Sequence, residues 1–135
     1  MDNKIKLEDT CLTVEQAKEL QSLGVDMSDS LMVYCDYYDQ VHDYELLMNN
    51  NLSTSYAYEV VNTLTNTEIL EMLPQKFVYH DKDAYLGVRT DDDSGEYEFY
   101  YKRWINDCEG PMFHNKLIRD SLFEMIKYLK INHII

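Results

Sequence analysis

From Glu19 to Gln75 the chain runs 57 residues without one lysine or arginine while carrying ten aspartates and glutamates. Spreading 12 basic residues at random through 135 would place about five in that window, so the segment is biased. Residues 1–100 hold six basic and 21 acidic side chains, against six and four in residues 101–135. Most of such a surface repels nucleic acid and anionic membrane alike, which points away from direct binding to either.

Length and composition predict one domain over residues 1–135, with residues 1–10 as a loose lead-in. The 45% hydrophobic content, 13% aromatic, is too rich for intrinsic disorder even at a net charge of -13. No 18-residue apolar run and no apolar signal core at the N-terminus are found, so the expected location is the cytoplasm. Cys11, Cys35 and Cys108 are odd in number and widely spaced, which predicts free thiols in a reducing compartment.

Local signals then define the elements. Thr13 followed by Gln16 is a capping box opening a helix over 14–23, with Gly24 placed to end it and Val25 to fold back on Leu20. Leu31–Tyr38 and Tyr44–Met48 alternate as two neighbouring antiparallel strands, and Tyr56–Val61 reads as a further extended segment. Thr65 with Glu68 forms a second capping box for a helix of two turns ended by Pro74. Lys76–Tyr79 reads as a strand, and Ala84–Thr90 with Glu96–Arg103 as a hairpin. A final amphipathic helix is expected over Asn115–Ile131. The sum is an α+β domain: a mainly antiparallel sheet of four to six strands, an N-terminal helix, a short central helix and a long C-terminal helix on the sheet.

The segments LTVEQAKELQSLGVD at 12–26 and TLTNTEILEMLP at 63–74, with the C-terminal amphipathic helix, resemble a group of small uncharacterised proteins from gut Bacteroidetes and their phages or prophages. The shared positions are caps and core residues, so the resemblance implies a fold and a mobile-element setting. It brings no catalytic residues. In such a setting small acidic accessory proteins often bind and block a host protein.

Several clusters can be weighed for chemistry. Cys35 with His42, and Cys108 with His114, lack the close pairing of zinc ligands. Asp91, Asp92 and Asp93 before Gly95 lack the alternation and distal glutamate of a calcium loop and read as a hairpin turn. His80 with Asp81 and Asp83, or Cys108 with His114, could supply acid/base or thiol chemistry, but neither sits in a recognisable catalytic motif. No cofactor and no metal is expected.

Tyrosines interleaved with carboxylates are the stronger feature. Tyr34, Tyr38, Asp36, Asp39, Asp43 and Glu45 combine rigid contact area with charge that steers a basic partner. Phe123 falls about 140° around the wheel from Ile118, among lysines, and must meet another element or a partner. The leading expectation is therefore a non-catalytic protein that docks on a basic protein surface. The alternatives are a small hydrolase or transferase using His80 or His114, and a homo-oligomeric structural protein joined through Phe123.

Overall fold

The computed structural model describes residues 6–37, 44–49, 58–102 and 110–135. Among them, three α-helices and seven strands form an α+β fold with helices at the N-terminal, central and C-terminal positions expected. The expected single sheet of four to six strands is instead two antiparallel sheets, of three and four strands. The chain divides into two compact units, Met1–Glu68 and Ile69–Ile135, and the division falls within the central helix. Each sheet is built from strands close in sequence, as short connections favour.

In the first unit, Leu7–Thr10 forms a 3-10 turn where a loose lead-in is expected. Helix α1 spans Val14–Ser22 and opens on the predicted capping box: Gln16 N–H donates to Thr13 Oγ1 at 3.1 Å and Thr13 N–H to Gln16 Oε1 at 3.0 Å. Such a cap contributes about 1 kcal/mol. The helix ends with Gly24 at φ 93°, its N–H donating to Gln21 O while Val25 N–H donates to Leu20 O at 3.1 Å. Those two bonds satisfy carbonyls that the last turn would leave orphaned.

Strands β1 (Met32–Asp36), β2 (Tyr44–Met48) and β3 (Glu59–Thr63) lie in the order β2-β1-β3. Central β1 is buried at all five positions. Its alternation therefore does not separate a wet face from a dry one, because both faces are covered. Leu12 fixes one of them: its carbonyl accepts both the Tyr34 hydroxyl and the Thr63 hydroxyl at 2.9 Å, and its N–H donates to Leu64 O.

Helix α2 (Asn66–Met72) follows the second predicted capping box, in which Thr65 N–H donates to Glu68 Oε1 at 2.9 Å and Glu68 N–H to Thr65 Oγ1 at 3.2 Å. In the second unit β4 (Lys76–Tyr79), β5 (Lys82–Thr90), β6 (Tyr97–Lys102) and β7 (Met112–Asn115) form a meander in that order. From sequence, Asn115 is the first residue of the last helix and residues 112–114 are given no element. Met112–Asn115 instead pairs with Tyr97–Tyr100 as β7, so α3 starts at Ile118.

Alternation along β6 puts Tyr97, Phe99 and Tyr101 on the face that carries α3 (Ile118–Ile131). The helix is held there by Ser121 Oγ, which donates to Tyr97 O at 2.7 Å, and by the Phe113–Tyr128 ring contact. Leu122, Met125, Ile126 and Leu129 are fully buried along its predicted stripe, each contributing about 1.5–3 kcal/mol. Among the described residues no helix is long and apolar enough to cross a membrane.

Candidate functional site

Cross-strand register in the first unit places Asp36 between Tyr44 on β2 and Glu59 on β3. Lys18, from α1, reaches the same row. Its ammonium lies 3.0 Å from Glu59 Oε1 and 3.5 Å from the Tyr44 hydroxyl, and 5.7 Å from the centre of the Tyr44 ring. Tyr44 donates its own hydroxyl to Glu59 Oε1 at 2.5 Å, and its ring meets Tyr34 edge-on. The hydrogen bond to Glu59 is the main reason that both the Lys18 ammonium and the Tyr44 phenol titrate above their ordinary values. The set ties α1 to the sheet. Lys18 is also the last cation before the cation-free stretch, and it is engaged by one of that stretch's own carboxylates.

The residues singled out from sequence do not form one patch. Tyr34 is buried with its hydroxyl on Leu12 O, and Asp36 is fully buried. Glu45 is exposed, on the opposite face of the sheet by the alternation of β2. Tyr38, Asp39 and Asp43 lie outside the described residues. Phe123 belongs to the second unit, where it is buried with the Lys127 ammonium 5.6 Å from its ring centre. Its unusual position on the wheel marks burial, and the ring is not an open contact face. Tyr34 and Asp36 could have been assigned to the interior only by knowing that β1 is central, which alternation does not reveal.

The histidine clusters resolve into turns and an exposed pair. His80 and Asp81, with φ of 50° and 67°, are the two central residues of the tight β4–β5 connection, where the favoured hairpin turn needs positive φ at both. His114 is exposed on β7 and pairs with Glu96, and that hydrogen bond is the chief cause of its raised pKa. Asp91 accepts the N–H of Asp93 at 2.9 Å and its carbonyl accepts from Gly95, so the aspartate run is a turn closed by its own backbone. The backbone N–H of Asp93, and after it that of Ser94, hold the Asp91 carboxyl below its ordinary range.

Among the described residues no three His, Cys, Asp or Glu side chains gather as a metal-ligand set. Cys11 and Cys35 are buried thiols outside any disulfide, and burial is the main influence raising the Cys35 pKa. His42 and Cys108 lie outside the described residues.

Two features were not anticipated. A cleft of about 410 Å³ opens at the start of β1 and the end of β2, lined by Ser28, Asp29, Ser30, Leu31, Met48 and Asn49. Leu31 is 59% and Met48 48% exposed there. The second is on the face of β4–β7 opposite α3, where the Tyr100 ring lies directly over Gly87 with the Arg89 guanidinium 5.4 Å and the Lys102 ammonium 4.7 Å from its centre. Arg89 also pairs with Glu98.

No family model matches the chain, and no solved structure matches it significantly. Among curated proteins, an uncharacterised protein of Mycoplasmoides gallisepticum is similar over 119 residues at 24% identity. The alignment covers 86% of this chain and 37% of that relative, so the chain spans little more than a third of the relative's length. The likeness brings no chemistry with it.

Proposed function

We propose that this chain is a non-catalytic binding protein whose first unit docks on a basic protein surface. The observation that carries the reading is the imbalance of exposed charge. Residues 1–68 contain 13 acidic and three basic side chains, a formal net charge of -10, and one of those three, Lys18, is held by Glu59. Glu15, Glu19, Asp26, Asp29 and Glu45 meanwhile stand exposed. Carboxylates so placed raise the encounter rate with a cationic partner and select against anionic ones.

In its sharper form the carboxylate array imitates nucleic-acid phosphates and occupies the binding surface of a nuclease, repressor or defence protein. The resemblance to small proteins of gut Bacteroidetes and their phages supports a mobile-element setting for such blocking. The histidines favour no hydrolase reading, since His80 occupies a turn and His114 an exposed ion pair.

Affinity capture from lysate of the source cell, with low- and high-salt washes, tests the proposal. A cationic protein retained at low salt and released at high salt is expected, because surface attraction is screened over about 10 Å at 0.1 M salt. The control is reversal of Glu15, Glu19 and Glu45 to lysine. Asp36 is unsuitable for that purpose, because reversing a fully buried carboxylate tests folding in place of docking. Retention unchanged by the three reversals would remove the electrostatic reading.

A further inference from the structure

We propose that the cleft between Ser28 and Asn49 is the anchor point of that docking surface, receiving an apolar side chain from a basic peptide segment whose adjacent lysine or arginine meets Asp29. The inference rests on the docking reading and adds to it a place and a recognition chemistry.

The backbone around the cleft is largely satisfied from within. Asn49 donates its N–H to Leu31 O at 2.9 Å and its side-chain amide to Ser30 O at 3.0 Å. Leu31 N–H donates to Glu68 Oε2 at 3.2 Å, and the Ser30 hydroxyl to Met32 O. With those polar groups engaged, the cleft offers a visitor two kinds of surface. One is apolar, from Met48, which pairs with Met32 in the row that begins the sheet, and from Leu31, which precedes Met32. The other is the exposed carboxylate of Asp29.

Size and charge select the occupant. A cleft of about 410 Å³ takes a side chain with its neighbours and is small for a folded element. Methionine adapts its shape to different apolar guests, which suits recognition of a segment by type. Asp29 is the charged member of the lining, and no cation lies within the 57 residues that contain the whole of it. A purely apolar guest would leave that carboxylate unmatched, and an acidic one would be repelled. A segment alternating apolar and cationic residues complements both surfaces.

The test uses the intact chain with methyl-labelled leucine and methionine, titrated at low salt with three short synthetic peptides: alternating leucine–lysine, alternating leucine–glutamate, and oligolysine. The leucine–lysine peptide should shift the Leu31 and Met48 methyl resonances, bind more tightly than oligolysine, and lose roughly tenfold in affinity on Asp29→Lys or Met48→Asp. Both substitutions are at exposed positions, and denaturant unfolding checks that each variant remains folded. If binding survives both variants but disappears on reversal of Glu15, Glu19 and Glu45, the cleft assignment fails and docking on the acidic surface stands. Oligolysine binding as tightly as the leucine–lysine peptide also overturns the cleft assignment. If neither basic peptide binds at low salt, both readings fall.

Discussion

Glu68 reaches back 37 residues to accept the Leu31 N–H at 3.2 Å with one carboxylate oxygen, while its other oxygen accepts Thr65 N–H in the cap of its own helix. One side chain thus starts α2 and fixes the entrance of β1. Glu68→Ala removes both bonds and exposes two orphan donors, and should lower unfolding free energy by about 1–3 kcal/mol. Glu68→Gln retains an oxygen for one of them and should cost less than half as much. Urea unfolding of the two variants checks the order; equal losses would mean that the bond the glutamine oxygen keeps contributes nothing.

Both capping boxes are legible because a helix start is a local event, specified by a hydroxyl and a Glu or Gln three residues on. The same holds for the end of α1, where Gly24 and Val25 act as expected. Burial of β1 is not local. Whether Tyr34 and Asp36 meet water depends on which strands flank them, and β3 starts 23 residues after β1 ends. Strand β7 is hidden for a related reason: four residues including a histidine and an asparagine carry little strand propensity, and their pairing to β6 decides the matter. His80 and Asp81 resemble an acid/base pair because the usual Asn-Gly signal of the turn they occupy is missing. The cleft arises between residues 28–31 and residues 48–49, distant in sequence, and leaves no motif.

A methyl group added at Gly87 would overlap the end of the Tyr100 ring. Gly87→Ala must therefore push that ring away from Arg89 and Lys102, at a cost of about 1–2 kcal/mol. In a Tyr100→Ala background the clash is gone, and the same change should be neutral or stabilising, since alanine suits a strand better than glycine. The double-mutant cycle, measured by chemical denaturation, tests the coupling. Gly110→Ala should be worse than either, because its methyl would overlap the Tyr101 carbonyl, and backbone cannot swing aside as a ring can.

His114 and Glu96 give the second unit a pH-dependent contact. The folded-state pKa of His114 is raised, first by its hydrogen bond to Glu96 and then by the Glu96 charge, with smaller contributions from Glu98 and Asp91. A raised value means that the folded state holds the proton more tightly than the unfolded chain. The resulting stabilisation is complete below the unfolded value of about 6.5 and is lost as pH rises through the folded value. An NMR titration of the His114 ring should show the elevation, and Glu96→Gln should lower the pKa. A titration midpoint indifferent to that substitution would rule out Glu96 as the cause.

Helices α1 and α3 end with the same hydrogen-bond pattern on different residues. At α3, His133 N–H donates to Lys130 O and Ile134 N–H to Leu129 O at 2.8 Å, matching Gly24 on Gln21 and Val25 on Leu20. Both pivot residues have positive φ, 93° at Gly24 and 58° at His133. A histidine there carries a Cβ against the following carbonyl, a penalty of about 1–2 kcal/mol that glycine avoids. Because glycine also has more freedom to lose on folding, the net gain from His133→Gly should be smaller, about 0.5–1 kcal/mol. Gly24→Ala introduces the same Cβ at the other helix and should destabilise. Thermal and urea unfolding of the two variants should move in opposite directions, and a loss of stability in His133→Gly would show that the imidazole makes a contact worth more than the relief of its backbone.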